Sequence, residues 1–282
     1  MKKVPSLLLQ RSRLLLVLLL IGLLFLPGCQ RDEAQRIFDK GVSLWEAAKY
    51  DEAIQNFVTL TQAYPEHQLV DDSLFWIAKI YEQYLHNPEQ TIRFYRTLTS
   101  KFENSEYQLK AMIGLGKVRT LQGAEGKRKA IRIFRKLQNY PELVHQKKEW
   151  VENQFRLVNL FFELKQYEQA RVELKQIIIR KIDPKFDSKA YFLIGRSYLL
   201  EENIDLAIIT FQEADRKYDF KKISLDSAIS LADIYEQKGE LRLAIIVYET
   251  ILSRLERKEV FYQLANDRIK KLALRLKKTK TG

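Results

Sequence analysis

The segment 191–214, YFLIGRSYLLEENIDLAIITFQEA, decides the fold of this chain. Gly195 in its first half and Ala207 in its second half are small, and Phe211 follows Ala207 by four positions. Residues four apart lie on the same face of an α-helix. The polar residues 201–203 between the two apolar halves favour a turn. The segment therefore predicts two helices that pack closely through small residues, with an aromatic ring beside them.

The same pattern recurs along most of the chain. A small residue followed four positions later by a ring or Leu returns every 37 to 40 residues. The pairs are Ala53/Phe57, Thr91/Tyr95, Ala130/Phe134, Ala170/Leu174, Ala207/Phe211 and Ala244/Tyr248. A turn precedes each pair, and a further apolar-periodic helix precedes each turn. Two helices per period predict an all-α solenoid, in which each hairpin buries its apolar face on its neighbours.

With Gly195, Tyr198, Ala207 and Phe211 in place, the repeat resembles the tetratricopeptide repeat, a helix–turn–helix unit of about 34 residues. The resemblance implies a right-handed α-solenoid of about six hairpins within residues 34–258, with longer loops between repeats. The predicted repeats cover residues 34–66, 71–104, 107–140, 147–182, 187–220 and 223–257.

The end of the chain, residues 259–282, is predicted to be an amphipathic helix that covers the last apolar face of the solenoid. Its basic end contains Lys277, Lys278 and Lys280. One interpretation is that these lysines stabilise the helix by interacting with the negative C-terminal end of its dipole. The other is that they contact anionic headgroups or an acidic partner.

The start of the chain, residues 1–28, has the layout of an export signal. Basic residues precede an apolar run from Leu14 to Leu26, which is interrupted only by Gly22. A helix of this length spans about 20 Å, less than the ~30 Å hydrocarbon core of a bilayer. A cleaved signal is therefore favoured over the alternative, a short membrane anchor extended back through residues 7–9.

The apolar run ends in Leu-Pro-Gly-Cys at 26–29, and Cys29 is the single cysteine of the chain. This ending resembles the lipobox of a bacterial lipoprotein precursor. The resemblance implies cleavage before Cys29, a diacylglyceryl thioether on its sulfur and a third acyl (palmitate-type) chain on its amino group; the alternative is an incidental cysteine. Gln30 after the cysteine implies sorting to the outer membrane, where residues 29–33 form a short tether and the body faces the periplasm. Anchoring by two or more acyl chains is effectively permanent.

The charge distribution excludes nucleic-acid binding by the body of the protein. The chain has a formal net charge of +12, but residues 1–28 and 268–282 carry eleven bases and no acid. The remaining residues carry nearly equal numbers of bases and acids. A nucleic-acid-binding domain needs a basic surface on the folded body.

The sequence predicts neither an enzyme nor a cofactor or metal site. The three histidines, His67, His86 and His145, fall in or beside turns of different repeats. The chain contains no Gly-rich phosphate loop, HExxH or nucleophile elbow. Function is therefore expected on a binding surface.

In the tetratricopeptide family, one stripe of the first helix of each repeat lines the concave groove. The corresponding residues of repeat one, Phe38, Val42 and Trp45, are all apolar, so we expect a hydrophobic or aromatic protein segment in the groove rather than a charged tail. The other aromatic residues at such positions are Phe75, Phe155, Phe162 and Phe192. The alternative is that these rings pack on neighbouring repeats.

Residues 34–110, with Tyr-Asp-Glu-Ala-Ile at 50–54 and Tyr-Pro at 64–65, are similar to the BamD family. BamD proteins are lipoprotein subunits of the machinery that assembles outer-membrane β-barrels. The resemblance implies a non-enzymatic scaffold whose partners are barrel proteins and the barrel subunit of that machinery. Two alternatives remain: a pilotin-like lipoprotein that assists a secretin or pilus, and an adaptor for a peptidoglycan hydrolase.

Overall fold

The computed structural model describes residues 33–217, 221–255 and 259–281 of the chain. These residues form fourteen α-helices and no strands. The helices are α1 (Glu33–Glu46), α2 (Tyr50–Ala63), α3 (Val70–Gln83), α4 (Pro88–Lys101), α5 (Gln108–Thr120), α6 (Gly123–Gln138), α7 (Pro141–His145), α8 (Lys147–Glu163), α9 (Tyr167–Arg180), α10 (Pro184–Leu200), α11 (Ile204–Lys217), α12 (Lys221–Gln237), α13 (Leu241–Arg254) and α14 (Val260–Thr281). The predicted all-α class with helical hairpins is therefore confirmed. The predicted signal, residues 1–28, and the predicted tether, residues 29–33, lie outside the described residues except for Glu33, which begins α1.

The described residues from Glu33 to Gln108 form one compact unit. Helix α1 packs on α2, α2 on α3, and α3 on α4. The buried side chains of Ala53 and Phe57 on α2 meet those of Ile77 and Ile80 on α3. The hairpin α1/α2 therefore stacks on the hairpin α3/α4, as the repeat pattern requires.

A second compact unit begins at Leu109. Its hairpins α8/α9, α10/α11 and α12/α13 stack in chain order, because α9 also packs on α10 and α11 on α12. Helix α14 packs on α13 and follows the last hairpin. The short helix α7, which the sequence analysis did not predict, begins at Pro141 and buries Leu143 completely.

The small residues of the repeat pattern are buried at the centre of the helix pairs. Ala53, Ala130, Ala170, Ala207, Ala244 and Thr91 have no exposed surface. The ring or Leu four positions after each of them is at most 2% exposed. Close helix approach beside a buried ring is the packing that the spacing predicted.

The turn inside each hairpin has one residue in the left-handed backbone region. These residues are Ala48 (φ 58°), His86 (φ 49°), Gly123 (φ 63°), Lys165 (φ 56°), Glu202 (φ 60°) and Gly239 (φ 76°). The next backbone N–H frequently donates to a carbonyl five residues back, as Lys49 does to Leu44 at 2.8 Å and Asn203 to Tyr198 at 2.9 Å. This is the bond that closes a helix in the Schellman motif. Four of these six turns close with this bond, donated by Lys49, Gln166, Asn203 and Glu240, although only two of the six use Gly.

Candidate functional site

A pocket of about 340 Å³ lies between the first helices of two consecutive hairpins, α8 and α10. It is entirely within the second unit. Its lining residues are Glu152, Phe155, Arg156, Asn159, Lys185, Phe186 and Lys189. Phe155 is one of the residues predicted from the sequence to line the concave groove.

Regular helix geometry places these side chains together. Glu152, Phe155, Arg156 and Asn159 are three or four residues apart on α8, so they share one face. The remaining lining residues, at 185, 186 and 189, occupy the first two turns of α10. Pro184 starts that helix, and the Asp183 carboxylate caps it by accepting a 2.8 Å hydrogen bond from the Lys185 backbone N–H. The N-cap and Pro at the first helical position fix where α10 begins.

Two aromatic rings form the apolar wall of the pocket. Phe155 is 9% exposed, and Phe186 is half-buried. Their ring centroids are 6.3 Å apart, and the ring planes are inclined by 56°. This separation is within the range of favourable aromatic pairs. The wall therefore offers an aromatic surface to a bound side chain.

Positive charge lines the rim of the pocket. The Lys189 Nζ lies 4.3 Å from the centroid of the Phe155 ring, a cation–π contact. Lys185 and Lys189 are exposed, and Arg156 is half-buried. The single lining acid, Glu152, forms a 3.5 Å ion pair with Arg156. Three cations and one carboxylate give the pocket a net positive charge, which favours an anionic ligand group.

A buried acidic group, Asp187, follows the pocket residue Phe186 on α10. Asp187 is 7% exposed, and its Oδ1 is buried without a hydrogen-bond partner among the described residues. Burial raises the pKa of this carboxyl, and the nearby Asp183 raises it further, while Lys181 lowers it. Burial of a carboxylate without compensating hydrogen bonds disfavours its charged form.

The predicted groove residues of the first unit are half-buried and contact other rings of that unit. The Phe38 ring lies 5.4 Å from the Phe57 ring, and the Trp45 ring lies 4.6 Å from the Trp76 ring. Val42 packs against the same cluster. Phe75 stacks on Tyr107 at 4.4 Å. These positions remain predicted contact sites, each with part of its surface already covered.

The predicted groove residues of the second unit do not form one common site in the structure. Phe155 lines the pocket between α8 and α10. Phe162 instead contacts Tyr167 at the start of α9, at 5.6 Å, and Phe192 lies 5.9 Å from Phe211. The basic rim of the pocket was not predicted, because Lys185 and Lys189 lie on the first helix of the next hairpin and reach the pocket only through the stacking of the two hairpins.

The remaining predicted sites divide between the described and the undescribed residues. Lys277 and Lys278 are exposed on α14, whereas the side chain of Lys280 lies outside the described part. The proposed lipidation site, Cys29, also lies outside it. No helix within the described residues combines the length and apolar character needed to cross a membrane.

Comparison with known proteins identifies the repeats. Residues 155–221 and 225–254 match family models described as tetratricopeptide repeat. Among solved structures, MamA is similar at 19% identity and a TM-score of 0.50, covering 65% of this chain and 91% of that chain. A tetratricopeptide repeat protein from Parabacteroides merdae aligns over 85% of this chain and 98% of its own, at 11% identity and a TM-score of 0.44. No curated protein matches the sequence.

The second unit therefore contains tetratricopeptide repeats, and the pocket lies within the matched segment 155–221 and the helix that leads into it. Tetratricopeptide repeats typically form non-enzymatic scaffolds that bind other proteins along extended surfaces. At these sequence identities, the solved structures support the fold alone.

Proposed function

We propose that this protein is a lipid-anchored periplasmic scaffold whose pocket between α8 and α10 binds an acidic, aromatic-bearing segment of a partner protein. The observation that carries the proposal is the position of Lys189, whose ammonium group lies over the Phe155 ring at the rim of the pocket. The pocket thus combines an aromatic wall with accessible positive charge.

The ligand chemistry follows from these two features. An aromatic side chain entering the pocket contacts Phe155 and Phe186, and such contacts gain both apolar burial and ring–ring attraction. A carboxylate beside it approaches Lys185 and Lys189 on the rim. Long-range attraction between opposite charges also speeds the encounter of the two proteins. The aromatic part of the ligand agrees with the sequence-based expectation, whereas the acidic part revises it, because the expected groove carried no clamping cations.

The proposed cellular role is a part in outer-membrane protein assembly. The Leu-Pro-Gly-Cys ending of the apolar run and the likeness of residues 34–110 to the BamD family support this role. At most a few residues separate Cys29 from α1, so an acylated Cys29 would hold the first unit within about 15 Å of the membrane surface. A scaffold held there could meet barrel precursors as they reach the membrane.

The direct test is photocrosslinking in intact cells from a photoactivatable amino acid at Asn159, an exposed residue of the pocket. The matched control is the same amino acid at Gln176, which is exposed on α9 and does not line the pocket. Capture of outer-membrane barrel proteins from position 159 but not from 176 would support the proposal. Equal capture from both positions, or none, would refute a role of the pocket.

Depletion of the protein tests the cellular role separately. A general loss of barrel proteins from the outer membrane is the expected result. Loss of the multimers of one secretin alone would instead establish the pilotin-like alternative. Recovery of a peptidoglycan hydrolase at position 159 would identify the adaptor alternative.

A further inference from the structure

The last helix, α14, presents two different faces. On one face, Ala265 and Leu272 are almost fully buried against α13, and Ile269 and Leu276 pack beside them. This face closes the apolar end of the last hairpin, as the sequence analysis expected. The opposite face has no further helix after it among the described residues.

That opposite face is apolar as well as basic. Val260, Leu264 and Leu274 are 81%, 47% and 59% exposed, and Phe261 is 43% exposed. The residues Val260, Leu264, Lys271, Leu274 and Lys278 follow one another at intervals of three, four or seven. Such intervals place them on one side of the helix. Asp267, three residues after Leu264 and four before Lys271, lies on the same side. The exposed side of α14 is therefore aliphatic at Val260 and Leu264 and alternates Lys with Leu from Lys271 to Lys278.

Half of the formal net charge of +12 lies in this helix. Between positions 260 and 281 there are seven Lys and Arg residues and one acid, Asp267, whereas residues 29–259 are nearly neutral. Arg268 and Arg275 lie 3.6 Å and 3.9 Å from Glu236 on α12, which holds the helix to the repeats. Lys270, Lys271, Lys277 and Lys278 are exposed. An exposed surface of this kind is complementary to an anionic one.

We propose that the exposed face of α14, defined by Val260, Leu264, Lys271, Leu274 and Lys278, binds the surface of an anionic lipid bilayer. Helices with aliphatic residues interleaved with Lys lie in the interfacial plane, with the apolar side chains at the acyl boundary and the ammonium groups among the headgroups. Each cation near an anionic surface strengthens binding roughly fivefold. This inference is independent of the proposed function and of acylation at Cys29, because it concerns only the second unit.

A local probe tests the proposal in the full chain. The N-terminal apolar run can itself insert into vesicles, so total binding to vesicles is uninformative. In the Cys29→Ser background, Leu264→Cys provides a single thiol for an environment-sensitive dye. The matched control is Gln176→Cys, an exposed position on α9. The probes are vesicles of phosphatidylglycerol and phosphatidylcholine in equal parts and vesicles of phosphatidylcholine alone.

A blue shift of the dye at position 264 with the anionic vesicles, and a much smaller shift with neutral vesicles, is the expected result. The dye at position 176 should not shift with either. The proposal is wrong if position 264 does not shift with anionic vesicles or shifts equally with both kinds. It is equally wrong if soluble polyglutamate shifts the dye and anionic vesicles do not, which would indicate an acidic protein partner.

Charge reversal provides a second test with a folding control. Lys271→Glu combined with Lys278→Glu should lower the binding constant for anionic vesicles, obtained by titrating the dye shift with lipid, at least 25-fold. Each reversal removes one cation and adds one anion. Lys175→Glu, on the exposed surface of α9, should leave the response unchanged. Unchanged helicity in both variants shows that folding is retained. An equal response in both variants would overturn the proposal.

Discussion

The ring of Phe211 occupies the space into which a side chain at Gly195 would project. A Cβ atom on Gly195 would lie 2.6 Å from the Phe211 Cε1 atom, closer than carbon atoms approach in folded proteins. The same relationship joins Gly41 to Phe57 at 2.7 Å and Gly116 to Phe134 at 2.6 Å. In three hairpins, the first helix can therefore approach the second only because it carries Gly at the point of contact.

Gly195→Ala should destabilise the protein. The added methyl group meets a fully buried ring rather than the end of a flexible side chain, and overpacking of this kind costs about 1–3 kcal/mol. The higher helix propensity of Ala returns about 1 kcal/mol. We expect a net loss of up to about 2 kcal/mol in the free energy of unfolding, measured by urea denaturation followed by circular dichroism.

A double-mutant cycle separates the clash from other effects of the substitution. Phe211→Leu alone removes ring contacts and should also destabilise, but Gly195→Ala should cost less in its presence than in the wild-type protein. Additive effects of the two substitutions would show that the methyl group added at position 195 does not contact the Phe211 ring.

Ala48→Gly and Gly239→Ala should change stability in opposite directions. Both residues occupy the left-handed position of a hairpin turn, at φ 58° and φ 76°. A residue with a side chain costs about 1–2 kcal/mol in this backbone region, and Gly avoids that cost. Gly also loses more conformational entropy on folding, which reduces its advantage by about 0.5–1 kcal/mol. We expect Ala48→Gly to raise the free energy of unfolding by about 0.5–1 kcal/mol and Gly239→Ala to lower it by a similar amount. The space around a Cβ at position 239 is open, so only the backbone conformation should determine the effect of Gly239→Ala on stability. An unchanged free energy of unfolding in Gly239→Ala would contradict this prediction.

The contacts inside a hairpin could be predicted from the sequence because both partners lie within about 20 residues and follow helical periodicity. Gly195 and Phe211 are such a pair. The contacts between hairpins could not, because they depend on the rotation of one hairpin against the next. Trp45 against Trp76 is one example: the sequence left open whether Trp45 faces a groove or a neighbour, and the ring contact follows from the stacking of α3. The cation–π contact of Lys189 with Phe155 joins α10 to α8 and was missed for the same reason.

Asp187→Asn should stabilise the protein at neutral pH. Because burial raises the pKa of the Asp187 carboxyl in the folded state, the unfolded chain releases this proton at a lower pH than the folded one. Stability is therefore lost as the pH rises from the ordinary carboxyl pKa of about 3.9 through the raised folded value, and the loss is complete above it. The amide does not ionise, so its advantage in Tm should be present at pH 7 and disappear as the pH falls toward about 4.

The control for this prediction is Asp51→Asn, an exposed aspartate in the first turn of α2. It should give no gain at any pH, because an exposed carboxylate remains hydrated and favours the N-terminal end of a helix. A lower Tm for Asp187→Asn at pH 7 would mean that the position of Asp187 near the start of α10 outweighs its burial.

Charge reversal at the pocket rim should weaken binding of an acidic aromatic peptide. The probe is a fluorescent peptide with Phe flanked by Glu on both sides. Two comparison peptides carry Lys in place of Glu or Ala in place of Phe. The combination Lys185→Glu and Lys189→Glu should raise the Kd for the Glu-flanked peptide about tenfold or more, as expected for two reversed charges at an exposed rim. It should also weaken the salt dependence of binding, because screening acts on attraction between exposed charges.

Lys175→Glu is the control: it reverses a charge on α9, outside the pocket, and should leave the Kd nearly unchanged. Equal losses for the two variants would assign the attraction to overall charge, and equal affinity for the Phe and Ala peptides would remove the Phe155–Phe186 wall from the binding site.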